Sequence, residues 1–187
     1  MENTSRKKTR LLLILRATLS IACALMLAFI FSNSLKTGKQ SLEQSSQVVA
    51  IVQEVAAVIA PWSGIADATG AEYAKLHSAI RSIAHFSEFA LLGALFAWCT
   101  LSYTRKKRYQ LLPLFGVFVT PIIDESLQLL SAGRGAEWMD VLVDITGGLC
   151  GMAFALASFA LGAYIYYRKK RKNNVGTKLG NCSTQIQ

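Results

Sequence analysis

The sequence predicts an all-α integral membrane protein: a bundle of four transmembrane helices, both termini on the cytoplasmic side, with an amphipathic helix in the first outer loop. Three observations predict it. The 187-residue chain is 52% hydrophobic. Its apolar residues come in blocks of roughly 20 or more, enough to cross a hydrocarbon core of about 30 Å as a helix. No block alternates with the period of a strand, and a lipid-embedded span must satisfy its own backbone.

Residues 1–10 form a basic N-terminus carrying Arg6, Lys7, Lys8 and Arg10. The first span covers 11–31, and its only charge is Arg16, expected to snorkel to the inner headgroups. Basic residues ahead of an apolar stretch also suit a signal peptide. The stretch is long for one and no small-x-small site follows, so it reads as a retained span. The segment after it is more polar. Within it Val48, Val52, Val55, Ile59 and Trp62 recur at helical spacing until Pro61 closes the run, which predicts a helix lying on the membrane or capping the bundle. A second helical stretch from about Glu72 runs into the second span, 83–101. The third span covers 111–130 and the fourth 141–167. These spans make up a membrane domain over 11–167. The remainder, 168–187, is a basic and polar tail expected to be unstructured beyond Lys172.

Charge sets the orientation. The net charge of +9 is concentrated at the N-terminus, in "RKKR" (Arg105 to Arg108) and in "RKKRK" (Arg168 to Lys172). Short basic clusters abutting apolar spans follow the positive-inside rule, placing both termini and the second loop in the cytoplasm. They are explained by topology and anionic lipid, so no nucleic-acid partner is expected. Tyr103, Tyr109, Tyr164, Tyr166, Tyr167 and Trp138 fall at span ends, as interfacial anchors do. The four cysteines show no CxxC or Cys/His spacing and read as apolar filler.

In this topology the embedded polar residues fall at one depth. Glu88 lies roughly 7 Å below the outer surface on the second span, with His85 above it. Asp124 and Glu125 lie roughly 20 Å along the third span from the inside, and Asp144 about 6 Å into the fourth. Arg81, His85 and Glu88 share one helical stripe, as do Asp124 with Gln128 and Asp140 with Asp144. Ionisable groups in lipid are costly unless paired or wet, so these stripes should meet around a polar pocket. Arg81, His85, Glu88, Asp124, Glu125, Gln128, Arg134, Asp140 and Asp144 are the candidate ligand-binding residues.

Acids outnumber bases there, which calls for retained protons, a divalent cation or an amine-bearing ligand. The candidate metal ligands are His85, Glu88 and Asp124, without a specific metal motif around them. Glu88, Asp124 and Glu125 are the candidate catalytic groups if the site is an enzyme's. Arg134, flanked by Gly133 and Gly135, is free to reach a carboxylate or phosphate, or to pair with Asp124 or Asp140. A plainer reading makes Asp140 an N-cap. Gly147, Gly148 and Gly151, with Ala90, Gly93, Ala94 and Ala97, permit close helix approach, within the chain or in a dimer.

Three stretches resemble the VanZ-like membrane proteins: "FSNSLKTGKQSLEQSS" (Phe31 to Ser46), "RSIAHFSEFALLGALF" (Arg81 to Phe96) and "DESLQLLSAGRGAEWMDVLVDITGGLCG" (Asp124 to Gly151). They follow the family's order across roughly Leu11 to Tyr167. Asp144 departs from the Asn common at its position in the family. The resemblance implies a multi-pass bacterial plasma-membrane protein whose polar positions are His85, Glu88, Asp124, Glu125, Gln128, Arg134, Asp140 and Asp144. It also implies an association with low-level teicoplanin-type glycopeptide resistance. Three functions are compatible with these residues. The first is binding of an envelope-lipid headgroup or a lipophilic antibiotic, with Arg81 and Arg134 on its anionic group and the acids on an amine. The second is an enzyme acting on a lipid-linked envelope precursor, and the third a small proton- or ion-coupled transporter. The sequence specifies no oligomeric state.

Overall fold

The computed structural model describes residues 2–135 and 137–183. Ala136 and the last four residues of the expected tail, 184–187, lie outside the described residues. Among the described residues five α-helices occur, in the order α1 (Glu2–Ser34), α2 (Gly38–Ile59), α3 (Gly70–Tyr103), α4 (Leu111–Gln128) and α5 (Trp138–Ser183). Short 3-10 turns over Pro61–Ser63 and Lys107–Gln110 complete them. Four of the helices are long and apolar enough to cross a membrane: α1, α3, α4 and α5. Many of their large apolar side chains are exposed, including Leu11, Leu25, Phe115, Phe154 and Leu161. A soluble domain avoids such a surface; hydrocarbon as solvent explains it.

The helices outrun the apolar blocks. At 34 residues, α3 is about 51 Å long, well beyond a hydrocarbon core. Its first turns, with Glu72, Lys75 and His77, therefore project from one end of the bundle. The last helix also continues past its apolar stretch, to Ser183, where the sequence suggested an unstructured tail from Lys172.

α3 is the hub, packing on α1, α2, α4 and α5, most extensively on α5. Small residues make this possible. A Cβ at Gly93 would strike the Gly148 backbone, one at Gly147 the Phe86 backbone, and one at Gly151 the Ala90 backbone. The small-residue faces read from sequence thus pack within the chain, backbone against backbone. Ala94, Ala97 and Ala155 continue that seam under Trp98 and Met152. Larger side chains fill the other side, where Ile30 of α1 meets Phe89 and Leu92 of α3. At the far end, Arg16 Nε donates to the Ser102 carbonyl at 3.0 Å and its guanidinium lies 5.0 Å from the Tyr103 ring. Arg16 therefore caps the last turn of α3, a role beyond snorkelling.

α2 begins earlier than its apolar periodicity suggests. Thr37 and Gln40 form a capping box: Gln40 N–H donates to Thr37 Oγ1 at 3.3 Å, and Thr37 N–H to Gln40 Oε1 at 3.0 Å. It buries a narrow face and leaves its apolar stripe open, as a helix lying on the membrane would. Val49 and Ala56 are buried, whereas Val48, Val55, Ile59 and Trp62 are exposed, Trp62 by 83%. Small and medium side chains fit the narrow seam against α3, so the bulkier stripe turns outward. Gln53 Nε2 donates to the Ile65 and Ala68 carbonyls, tying the following loop back onto α2.

Candidate functional site

The site lies where the end of α1, the start of α2, the first half of α3, the end of α4 and the start of α5 converge. Its walls are held by backbone-directed contacts. Ser34, the last residue of α1, is buried and donates through Oγ to Asp124 Oδ1. Ser131 Oγ donates back to the Ser34 carbonyl at 3.0 Å. Gly38 N–H donates to the Ala132 carbonyl at 3.0 Å, and a Cβ at Gly38 would strike the Gly133 backbone. Gly133 has φ +76°, a left-handed conformation that turns the chain after α4 at little cost only for glycine.

That turn delivers Arg134 to the end of α1. Its Nη1 donates to the Asn33 and Ser34 carbonyls at 3.2 and 3.4 Å. The guanidinium thus caps a helix C-terminus, where cations are favoured. It does not take Asp124 or Asp140 as its hydrogen-bonded partner, as the sequence allowed. Asp140 goes instead to Arg81, whose Nη2 lies 2.5 Å from Asp140 Oδ2. Asp140 is the third residue of α5 rather than its cap, because the helix already starts at Trp138. Glu125 serves the helix start: Glu137 N–H donates to its Oε1 at 2.5 Å. One oxygen of this candidate catalytic group is thereby committed to tying α4 to α5.

Deeper in, His85 Nδ1 lies 3.3 Å from Asp144 Oδ1. Ligand atoms of His85, Asp124 and Asp144 all fall within 4.8 Å of one another. The candidate metal ligands read from sequence were His85, Glu88 and Asp124; the three whose ligand atoms cluster are His85, Asp124 and Asp144. Glu88 sits three residues beyond His85, about 4.5 Å along the axis, whereas Asp144 faces His85 across the close α3–α5 seam. Gln128 is fully buried and donates through Nε2 to Asp124 Oδ2 at 3.1 Å.

Above the trio is a cavity of about 150 Å³, lined by Ser34, Lys36, Arg81, His85, Glu88, Asp124 and Arg134 among others. A larger cavity of about 460 Å³ adjoins it across Ser41, Ser45, Arg81 and Arg134, and adds Lys39, His77 and Glu137. His77 Nε2 and Ser45 Oγ are 2.7 Å apart, joining α3 to α2 at that outer chamber. The two arginines stand at the partition. Burial, followed by the nearby Arg81 charge, holds the Arg134 guanidinium below its ordinary pKa. Arg81 Nε is buried without a hydrogen-bond partner. Two guanidiniums that repel one another, one with an unused donor, make a receptor for an anion.

All nine candidate ligand-binding residues lie in or beside this constellation. Sequence reasoning missed the contribution of the α1 end and the α2 start: Asn33, Ser34, Lys36, Ser41 and Ser45. The signal was a polar, serine-rich stretch directly after an apolar span. A model of the VanZ/LLP1 family matches residues 19–171.

The chain belongs to the VanZ/LLP1 family.

The match takes in every residue of the site, from Asn33 to Asp144. No curated protein and no solved structure is significantly similar.

Proposed function

We propose that this VanZ/LLP1 membrane protein holds the phosphate-bearing headgroup of an envelope lipid in a pocket facing the outer leaflet of a bacterial plasma membrane. The observation that carries the reading is the Arg81–Arg134 pair at the partition of two cavities, with Arg81 Nε buried and unpartnered. Lys36 and Lys39 add positive charge to the same walls. Further in, Glu88 lines the inner cavity and suits the amine of a zwitterionic headgroup. On this reading, any effect on glycopeptide susceptibility runs through the envelope lipid whose headgroup the pocket holds.

The test is lipid capture by protein purified in detergent. Wild type and the Arg81→Ala/Arg134→Ala double variant are each offered a phosphatidylethanolamine and an uncharged glycolipid of equal chain length, and bound lipid is counted by native mass spectrometry. Wild type should prefer the phosphate lipid, and the double variant should lose that preference by tenfold or more. Equal retention of both lipids by wild type overturns the reading.

A further inference from the structure

We propose that His85, Asp124 and Asp144 form a binding site for a divalent first-row transition ion, of the zinc or manganese class, at the floor of the pocket. One ligand comes from each of α3, α4 and α5, and their ligand atoms lie within 4.8 Å of one another. Bonds of about 2.0–2.1 Å to a tetrahedral ion separate neighbouring ligand atoms by about 3.4 Å. His85 Nδ1 and Asp144 Oδ1 are 3.3 Å apart, yet they do not meet hydrogen-bond geometry. The spacing suits an ion pair when the imidazole is protonated, and equally two ligands on one ion when it is neutral.

The unpartnered atoms point to the ion. Asp144 is 1% exposed, and both of its carboxylate oxygens lack a hydrogen-bond partner. His85 Nδ1 and Gln128 Oε1 are likewise buried and unpartnered. A native fold rarely leaves so many polar atoms orphaned together, and a bound cation is one explanation that satisfies acceptors without adding donors. Asp124 is prepared differently. Ser34 Oγ donates to its Oδ1 and Gln128 Nε2 to its Oδ2, which fixes the carboxylate while leaving lone pairs on each oxygen. Hydrogen-bonded ligands of this kind are the usual outer shell of a metal site.

Charge agrees. The trio carries two carboxylates, with Glu88 and Asp140 nearby and Glu125 beside Asp124. None of the nearby cations bonds directly to Asp124 or Asp144: Arg81 holds Asp140, Arg134 the end of α1, and Lys36 Asn33 and Gln44. A doubly charged ion would balance Asp124 and Asp144. One imidazole with two carboxylates is a donor set for zinc, manganese or ferrous iron, not for the softer cuprous ion. The frame is stiff, because Gly147 brings α5 against the Phe86 backbone of α3 beside His85, and Gly148 lies against Val117 of α4. His85 and Asp124 also line the inner cavity, so the ion would be reached from it.

This site stands independently of the headgroup reading, since metal content is measured without phosphate lipid. Untagged protein in detergent is stripped with a chelator and dialysed against Mn²⁺ or Zn²⁺, and the retained metal is counted. Wild type should retain about one ion per chain, and Asp144→Asn and His85→Gln should bind at least tenfold more weakly. The Mn²⁺ form should show an imidazole nitrogen coupling by pulsed electron paramagnetic resonance, retained in a His77→Gln background. Retention of no ion by wild type, as when the trio shares protons instead, overturns the proposal. So does an Asp144→Asn variant that binds as wild type does. If the variants do not fold, the spectrum of the His77→Gln protein decides: nitrogen coupling supports the site and its absence overturns it. Lipid capture that fails while one ion is retained would sink the headgroup reading alone.

Discussion

Arg81 Nη2 donates to Asp140 Oδ2 across the α3–α5 seam, while Arg81 Nε stays buried without a partner. One guanidinium therefore has a structural side and a free side. Asp140→Asn removes only the first. The pair is partly exposed, at 34% and 12% of the two side chains, so the loss is discounted for solvent to about 1 kcal/mol. Asp140→Asn should lower the unfolding midpoint slightly and keep phosphate-lipid capture. Arg81→Ala should lose both. Thermal melts alongside lipid counting check this; loss of capture in Asp140→Asn would mean that the ion pair, rather than the free donor, builds the site.

The shared depth of the charged residues was legible in the sequence because helical rise is fixed. Counting from the span ends brings His85, Asp124 and Asp144 to one layer whatever the packing. Which acid faces which base was not legible. That depends on how far α3 and α5 rotate about their axes, and the glycine contacts at Gly93, Gly147 and Gly151 set it. Hence Asp140 was assignable to Arg134 as readily as to Arg81. α2 was half legible. Its apolar period gave its later turns, but the start at Gly38 is signalled only by the Thr37–Gln40 capping box, amid serines and glutamines that carry no apolar pattern. The apolar period marked Val48, Val55 and Ile59 as one stripe, which the fold leaves exposed; that Val49 and Ala56 pack on α3 was not legible, because bulk, not hydrophobicity, decides what fits the seam.

Two glycines of α5 should respond oppositely to the same change. At Gly151 a Cβ would meet the Ala90 carbonyl, which is backbone and cannot swing aside. Gly151→Ala must push α3 and α5 apart, at a cost of about 1–3 kcal/mol. At Gly162 nothing lies within 4 Å, so Gly162→Ala should gain up to about 1 kcal/mol from helix propensity. Reversible unfolding in mixed micelles measures both. Equal effects would show that the α3–α5 contact is not the tight seam described.

Gly133→Ala should act on Arg134 at a distance. A φ of +76° is strained for any residue with a Cβ, at roughly 1 kcal/mol. The turn can relieve that strain only by shifting Arg134 off the Asn33 and Ser34 carbonyls. Phosphate-lipid capture should weaken several-fold while helix content is unchanged. Gly135→Ala serves as the control, since no atom lies within 4 Å of its Cβ position and its φ is not in the left-handed region.

Salt should govern capture by the arginine pair. Burial and repulsion from Arg81 lower the Arg134 pKa from its ordinary value, and the sign follows: the charged form is disfavoured in the folded protein below that folded pKa. The cost is present throughout neutral pH and is lost only as pH rises toward the unfolded value, where the guanidinium is neutral in both states. A bound anion offsets that cost. Adding a soluble short-chain phosphatidylethanolamine should therefore raise the unfolding midpoint of wild type, more at low than at high ionic strength. Arg134→Gln removes the repulsion together with the receptor, so its midpoint without lipid should fall less than a lost helix cap implies, and added lipid should not raise it. A lipid-dependent rise of equal size in Arg134→Gln would place the anion elsewhere in the bundle.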